Sequence, residues 1–184
     1  MSKAALIVGA GDATGGAIAK AFAREGYVAC VNRRARNADQ LEALAQSIRD
    51  EGYKAHAYPA DARIEDDVVA MVDAIERDVG PIEVAVFNIG ANVNFSILDM
   101  TAQVYRKVWE MAAFAGFLMA RESARRMVER QSGTIIFTGA TASIRGGTGF
   151  SAFSGAKGAL RMLAQSMARE LGPQNIHVAH VIID

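Results

Sequence analysis

Short apolar runs alternate along the chain with longer segments in which apolar residues recur every three or four positions. The short runs predict strands at residues 4–8, 27–31, 55–58, 84–87, 134–138 and 176–183. The periodic segments predict helices at residues 13–25, 39–51, 65–79, 102–130 and 154–171. The segment 102–130 is so long that we expect its helix to bend or break near the middle.

Strands that are apolar at nearly every position are typical of a parallel sheet with both faces covered. Because strands and helices alternate, and because crossovers are right-handed, the chain predicts an α/β fold of the Rossmann type. This fold is a doubly wound parallel sheet, expected here with strand order 3-2-1-4-5-6. The 184 residues suit one domain, and no linker or low-complexity tract interrupts them. We therefore expect a single domain over residues 1–184.

Composition narrows the classes of function. Hydrophobic residues make up 51% of the chain, and 20 basic side chains balance 20 acidic ones. Such a chain gives no reason to expect a nucleic-acid partner, and no apolar stretch is long enough for a membrane span. The single cysteine, Cys30, cannot form an internal disulfide, and no signal-peptide pattern precedes the first strand. We expect a cytoplasmic protein, and no metal site because the sequence has no His/Cys cluster.

A glycine-rich turn follows the first strand and opens the first helix. It reads Gly-Ala-Gly-Asp-Ala-Thr-Gly-Gly over residues 9–16. Glycines at such a turn let the backbone approach a pyrophosphate, which lies against the helix N-terminus. We therefore expect dinucleotide contacts from the following residues: Gly9, Gly11, Asp12, Thr14 and Gly15. The alternative is a glycine turn with a purely structural role.

The end of the second strand indicates which dinucleotide the turn would hold. A carboxylate there pairs with the ribose 2′-hydroxyl of NAD, whereas an arginine suits the 2′-phosphate of NADP. The chain has Asn32, Arg33 and Arg34 at this point, and no acidic residue before Asp39. Guanidinium groups bind phosphate through paired hydrogen bonds, so we expect NADP(H) in preference to NAD(H). Two solvated surface arginines are the alternative.

Four segments, in a fixed order, carry a resemblance to a known family. They are the glycine turn, Asp61-Ala62 after the third strand, residues 87–90 (Phe-Asn-Ile-Gly) after the fourth, and residues 153–157 (Phe-Ser-Gly-Ala-Lys) opening the last helix. Together they resemble the TGxxxGxG turn, the adenine-contacting Asp, the NNAG segment and the YxxxK motif of the short-chain dehydrogenase/reductase family. The resemblance covers essentially the whole chain.

The resemblance implies a hydride-transfer enzyme in which a tyrosine gives a proton to a carbonyl oxygen. Lys157 stands where the family has the lysine that binds the nicotinamide ribose. The other catalytic positions differ: the tyrosine position is Phe153, the serine position is Ala140, and the position of the relay asparagine is Ala112. Thr141 and Ser143, close to Ala140 in sequence, could polarise a carbonyl instead.

The consequence of Phe153 follows from its chemistry. A phenyl ring packs as a phenol does but has no proton to donate. General acid catalysis typically contributes about 10²–10⁴-fold in rate. Phe153 is therefore expected to preserve the shape of the site while removing most of the family-type catalysis.

The cofactor-binding positions match the family better. The resemblance implies adenine contacts from Asp61 and Ala62, close approach of the adenosine at Gly90, and a ribose contact from Lys157. Asp61 could instead cap a helix or belong to a turn. Asn88 could simply tie neighbouring strands together.

Two functional hypotheses follow from this uneven match. One is an NADP(H)-dependent oxidoreductase with an altered site, acting on an unidentified carbonyl or alcohol. The other is a catalytically silent nucleotide-binding protein, a redox sensor or partner subunit; a purely structural module is a third possibility. In the family, the long helix and the helix after Lys157 often form a dimer contact, so a homo-oligomer is expected. The family continues beyond residue 184, and its last strand and substrate helices are expected to be missing from this chain.

Overall fold

A six-stranded parallel sheet forms the centre of the computed structural model, which describes residues 2–183. The strands lie in the order β3-β2-β1-β4-β5-β6, so the predicted order is confirmed. Their bounds are β1 Ala4–Val8, β2 Val28–Arg33, β3 Ala55–Pro59, β4 Ile82–Phe87, β5 Gly133–Gly139 and β6 Ile176–Ile182.

Helices cover both faces of this sheet. Their bounds are α1 Thr14–Arg24, α2 Ala38–Asp50, α3 Glu65–Asp78, α4 Ala102–Trp109, α5 Ala115–Arg130 and α6 Ser151–Leu171. Because successive side chains of a strand point to opposite faces, β1 supplies Ile7 to the layer with α1 and α2, and Leu6 to the layer with α3, α5 and α6. Within the described part of the chain, no helix is long and apolar enough to cross a membrane.

The long helix predicted at residues 102–130 is interrupted in its middle, as expected. A π turn at Glu110–Phe114 separates α4 from α5. Such turns are wider than an α-helical turn and are frequent at functional sites. Ala112 and Ala113 of this turn pack against Ala152 and Ala156 of α6. The interruption therefore places the junction of α4 and α5 directly against the start of α6.

Most element boundaries lie within two residues of the predicted ones, and the start of α6 is the exception. This helix begins at Ser151 rather than at residue 154, so Phe153 lies inside its first turn. Strand β2 extends two residues beyond its predicted end, because Asn32 and Arg33 pair with the end of β3. Both residues therefore belong to the sheet rather than to the loop that follows it.

The strand order reverses between β1 and β4, which are neighbours in the sheet. Helix α1, which follows β1, and helix α5, which follows β4 and α4, pack on opposite faces. In a doubly wound sheet, ligands bind outside the carboxyl ends of the strands at this point. Gly9 and Asn88, the first residues after β1 and β4, mark that edge.

Candidate functional site

The turn between β1 and α1 requires glycine at two of its positions. Gly9 has a φ of 88°, and a Cβ there would come within 2.8 Å of the backbone carbonyl of Asn88. A Cβ on Gly15 would overlap the carbonyl oxygen of Gly9. Gly11, by contrast, has open space where its Cβ would be. Gly9 and Gly15 thus close the turn, and Gly11 presents its backbone to the open side.

Asn88 joins β4 to this glycine turn. Its backbone amide donates to the carbonyl of Val8 at 2.8 Å, and its side-chain Nδ2 donates to the carbonyl of Gly9 at 3.1 Å. The strand-tying role considered from the sequence is therefore present. The same residue also lines the cavity beside the turn.

That cavity, the glycine-turn cavity, has a volume of about 230 Å³ and opens at the carboxyl edge of the sheet. It is lined by most of the residues expected to bind the cofactor: Gly9, Gly11, Asn32, Arg33, Arg34, Asp61, Ala62, Asn88 and Gly90. The remaining expected residues, Asp12, Thr14, Gly15 and Lys157, lie outside its lining within the described chain. The fold thus brings three of the four motif segments to one cavity.

The side chains of Asn32 and Arg33 are both engaged within the protein. Asn32 is 1% exposed, and its Nδ2 donates to the carbonyls of Tyr58 and Ala60 at 2.8 and 3.1 Å. Arg33 pairs with the carboxylate of Asp12 at 3.1 Å. Both Nδ2 protons of Asn32 therefore have acceptors already, and the charge of Arg33 is offset by Asp12.

Arg34 lines the same cavity and brings a second guanidinium charge to it. Within residues 2–183 it forms no ion pair. Partial burial, followed by the charges of Arg36 and Arg63, lowers the pKa of its guanidinium, and Asp61 acts in the opposite direction. An anion in the cavity would offset this repulsion, so Arg34 suits a phosphate ligand.

Asp61 is held by an arginine that no sequence motif marks. Arg63 donates to its carboxylate from Nε at 2.9 Å, from Nη2 at 2.6 Å and from the backbone amide at 3.1 Å. These hydrogen bonds lower the pKa of Asp61, the side-chain bond from Arg63 most of all. A carboxylate has about four acceptor positions. One therefore remains for an amino group of a ligand.

Lys157 lies buried near the start of α6, with 3% of its surface exposed. Its Nζ donates to the carbonyl of Thr138 at 2.8 Å and to that of Ile89 at 3.2 Å. Burial lowers the pKa of this amine to about 8. An ammonium group has three donors, so one is left after these two bonds. Ile89 lines the glycine-turn cavity, so the amine is bonded to one residue of the wall of that cavity.

Phe153 lines a second cavity, the Phe153 cavity, with a volume of about 540 Å³. Its wall also includes Asn92, Ala140, Thr141, Phe150, Ser154 and Ile183. The centroid of the Phe153 ring lies 5.9 Å from Nζ of Lys157. Lys157 thus contacts one residue of each cavity, Ile89 and Phe153.

The sequence profile of the short-chain dehydrogenases matches residues 3–183. The chain belongs to the short-chain dehydrogenase family. It is similar to the crystal structure of a short-chain dehydrogenase from Rhodopseudomonas palustris, with a TM-score of 0.94 and 53% identity over 99% of this chain and 84% of that one. This similarity extends over the whole described sheet and confirms the Rossmann-type fold.

Relatives of known activity in the short-chain dehydrogenase family are more distant. The 2-dehydro-3-deoxy-D-gluconate 5-dehydrogenase of Formosa agariphila is 32% identical over 176 residues, which are 96% of this chain and 66% of that protein. The 5-keto-D-gluconate 5-reductase of Escherichia coli K12 is 30% identical over 173 residues, 94% of this chain and 67% of that protein. The chain thus spans about two thirds of the length of these relatives.

Of the two residues expected to replace the serine of the short-chain dehydrogenases, Thr141 lines the Phe153 cavity and Ser143 does not. Ser143 is buried, and its Oγ accepts a hydrogen bond from the amide of Ala140 at 3.0 Å. This bond closes the turn after β5 and positions Ala140. Ser143 is therefore placed to shape the turn, and the structure does not bring it to the cavity.

The position of the family's relay asparagine, Ala112, is fully buried in the π turn against α6. Its neighbour Met111 lines the glycine-turn cavity. The π turn therefore lies beside the site, although the residue at the asparagine position offers only a methyl group.

His180 of β6 packs over the end of β5, close to the site. A Cβ on Gly139 would overlap its ring. Both ring nitrogens are buried and have no hydrogen-bond partner within residues 2–183. Burial, with the charges of Arg161 and Lys157, lowers the pKa of this ring, so it is neutral at pH 7. In the described residues, no group of three or more His, Cys, Asp or Glu could hold a metal ion.

Arg63 and Met111 line the site but were not singled out from the sequence, and Ile89 was named there only as part of the segment 87–90. Arg63 lies two residues after Asp61, and that short spacing is the signal that could have suggested a pair. Ile89 contributes a backbone carbonyl, which every residue has. Met111 reaches the cavity because of the π turn, whose exact position the apolar periodicity does not reveal.

Proposed function

We propose that this chain is an NADP(H)-dependent oxidoreductase that transfers hydride to or from a carbonyl or alcohol. The observation that carries the proposal is that Lys157 contacts one lining residue of each cavity. Its amine donates to the carbonyl of Ile89, a residue that lines the glycine-turn cavity, and lies 5.9 Å from the ring centroid of Phe153, which lines the Phe153 cavity. A dinucleotide in the first cavity and a substrate in the second would meet at this residue. Membership of the short-chain dehydrogenase family supports the same activity.

The residues present suit a nicotinamide dinucleotide. Open space at Gly11 lies beside the N-terminus of α1, where unpaired backbone amides attract a pyrophosphate. Asp61 keeps an acceptor position for the adenine amino group, and Lys157 keeps a donor for a ribose hydroxyl. When bound, the dinucleotide itself supplies the hydride-transfer chemistry.

The preference for NADP(H) rests on Arg34. A 2′-phosphate carries about −1.5 to −2 charges near neutral pH. Arg34 lines the cavity without a carboxylate partner in the described chain, whereas Asp12 already compensates Arg33. The net positive charge that a 2′-phosphate needs is therefore present.

The substrate side lacks the proton donor that the family chemistry uses. Phe153 and Ala140 carry no proton that could be transferred at neutral pH. The hydroxyl of Thr141 is aliphatic, and an aliphatic hydroxyl is a weak acid. We therefore expect turnover about 10²–10⁴-fold below that of a site with its general acid in place.

The relatives named above give a first substrate class. By name they act on keto and hydroxy forms of gluconate. We accordingly propose polyhydroxy acids and their keto forms as the compounds with which activity should first be sought.

A second candidate function is binding without catalysis, as a redox sensor or partner subunit. The observation that favours it is the joint replacement at Phe153 and Ala140, with Ser143 bound into its own turn. Such a protein would keep its affinity for the dinucleotide and show no oxidation or reduction.

Calorimetric titration with NADPH and with NADH, run beside a turnover assay on 5-keto-gluconate and gluconate, tests both functions. The oxidoreductase proposal expects tighter binding of NADPH and slow but measurable turnover. Tight binding without turnover on a wider carbonyl panel would favour the silent protein. If neither nucleotide binds, both functions are wrong.

A further inference from the structure

The acidic residue of the glycine-turn cavity is neutralised by a neighbour rather than by a ligand. Asp61 and Arg63 both line this cavity, and their side chains are 23% and 27% exposed. The two side-chain bonds between them, at 2.9 and 2.6 Å, form a fork between guanidinium and carboxylate. A fork of this kind fixes the orientation of both groups.

The backbone around this pair is also fixed. The amide of Asp61 donates to the carboxylate of Asp67 at 3.0 Å, and the amide of Ile64 donates to the carbonyl of Asp61 at 2.9 Å. Together with the bond from the Arg63 amide, these contacts hold residues 61–64 in a closed turn. Arg63 is therefore held beside Asp61 by the turn as well as by its side chain.

The effect of the Asp61–Arg63 pair on ligand binding depends on the other charges in the cavity. Arg33 is offset by Asp12, and the charges of Arg34 and Asp61 act on each other. If Asp61 were unpaired, its negative charge would compensate Arg34 and repel a phosphate beside it. With Arg63 in place, the Asp61 charge is cancelled locally, and Arg34 stays available to an anion.

We propose that Arg63 is a specificity-determining residue, which favours a 2′-phosphorylated dinucleotide by masking the charge of Asp61. Arg63 acts through Asp61, so it is a positioning residue rather than a group that must touch the phosphate. The inference rests on the proposed binding of a nicotinamide dinucleotide. It differs from a simple surface ion pair, which would contribute little to stability and nothing to the choice between nucleotides.

The test compares the ratio of the NADH and NADPH dissociation constants, measured by calorimetry on the full chain. In Arg63→Gln, we expect NADPH to bind about tenfold more weakly, with NADH changed less than about twofold. Adding Asp61→Asn to this variant removes the exposed carboxylate and should restore the wild-type ratio to within about twofold. The two single variants and the double variant form a double-mutant cycle, which measures the coupling between the two residues.

Arg77 provides a matched control. It forms the same kind of fork with its neighbour Asp78, at 2.7 Å for each bond, but it lies on α3 outside the cavity lining. Arg77→Gln removes the same charge from a similar pair and should leave the ratio unchanged. If Arg77→Gln weakened NADPH binding as much as Arg63→Gln does, overall charge would set the ratio of the two dissociation constants, and the inference would be overturned.

Asp61→Asn alone keeps the inference testable if Arg63→Gln fails to fold. It frees the charge of Arg63, so the ratio should rise in favour of NADPH; a fall would contradict the proposal. If folded Arg63→Gln lost the same affinity for NADPH and for NADH, Arg63 would have only a structural role, and the proposal would likewise be contradicted. Binding of neither nucleotide by the wild type would be a failure of the proposed function itself, seen before any variant is compared.

Discussion

The contact between Lys157 and Phe153 places a cation against a ring that can neither give nor take a proton. Nζ lies 5.9 Å from the ring centroid, within the range of a cation–π interaction. The lysine thus retains a favourable neighbour where the family has a phenol. If the proposed function is correct, Phe153 leaves Lys157 without a phenol to activate.

Restoring the missing groups should restore activity. In Phe153→Tyr combined with Ala140→Ser, both new hydroxyls would lie in the wall of the Phe153 cavity, and the phenol would be next to Lys157. We expect turnover of a keto acid with NADPH to rise by about 10²-fold or more. Steady-state kinetics measures the gain.

Phe150 offers the control for this pair of substitutions, because it lines the same cavity. Phe150→Tyr adds a phenol without changing the residue that contacts Lys157, so turnover should stay at the wild-type level. If the double variant bound NADPH normally but gained no activity, the prediction would be wrong, and the two hydroxyls would not be sufficient for catalysis.

The buried amine of Lys157 should make stability depend on pH. Its pKa is about 8 in the folded protein and about 10.4 in an unfolded chain. Because the unfolded state binds more protons between these values, the free energy of unfolding rises with pH across this window. Relative to Lys157→Met, which cannot titrate, we expect wild type to gain about 2 kcal/mol between pH 7 and 9.5.

Urea unfolding of both proteins at several pH values provides this measurement. Burial raises the pKa of Cys30 to about 12, so its stabilising effect is lost as pH rises above its unfolded value. Cys30 is present in both proteins, and the difference between them cancels its effect. A difference that is constant from pH 7 to 9.5 would mean that Lys157 titrates at its ordinary value.

Residue types at motif positions could be predicted from the sequence, whereas their hydrogen-bond partners could not. Lys157, Phe153 and Asp61 were found because fixed spacings within motifs identify them. The fork of Arg63 on Asp61 depends on the conformation of the turn they share. The engagement of Ser143 with the amide of Ala140 depends likewise on how the chain turns after β5.

At the scale of elements, the apolar runs predicted all six strands. Strands β1, β2, β4 and β5 are largely buried, whereas the edge strands β3 and β6 are only partly buried and were still marked by apolar residues. The end of β2 extends further than its apolar run, because Asn32 gains hydrogen bonds to Tyr58 and Ala60. From the sequence alone, a polar residue at the end of a strand predicts a loop, because its hydrogen-bond acceptors in the neighbouring strand are not known. The early start of α6 was missed for a similar reason, since its first turn begins with Ser151.

Alanine substitution should have very different effects on stability at two glycines of the turn between β1 and α1. Gly15→Ala places a Cβ against the carbonyl oxygen of Gly9, so the turn must shift. We expect a loss of about 1–3 kcal/mol in unfolding free energy, as for other overpacked sites, together with weaker nucleotide binding. Thermal or urea unfolding and calorimetry measure the two effects.

Gly11→Ala is the matched variant, because a Cβ at this position has no atom within 4 Å. It should leave stability unchanged and still weaken nucleotide binding, since the methyl group enters the space proposed for the pyrophosphate. Equal stability of the two variants would contradict the close packing at Gly15. Unchanged binding in Gly11→Ala would argue against a pyrophosphate beside this residue.

At the scale of the whole molecule, the charges balance, with 20 basic and 20 acidic side chains. Attraction of an anionic ligand must therefore come from local fields, such as that of Arg34, rather than from net charge. Because the net charge is zero, two copies of the chain do not repel each other through their net charge. This neutrality is compatible with the homo-oligomer expected from the family resemblance.

We propose that two copies associate through α4, α5 and α6. A cavity of about 760 Å³ lies on the outer surface of α5 and α6 and is partly lined by Phe117, Leu163 and Met167. Apolar side chains on such a surface favour an interface, and a two-fold axis would bring the same patch of both copies together. Ser166, exposed in the lining of this cavity, is a position where a charge would be buried by association but tolerated in the monomer.

Ser166→Glu should therefore separate the copies without unfolding them. A two-fold interface would bring each new carboxylate close to its symmetry mate, so we expect the dissociation constant to rise at least about a hundredfold. Sedimentation equilibrium measures it. Gln40→Glu adds the same charge on α2, across the sheet, and should leave the association unchanged. A wild-type protein that sediments as a monomer at micromolar concentrations would contradict the proposed association, and equal dissociation in both variants would place the interface elsewhere.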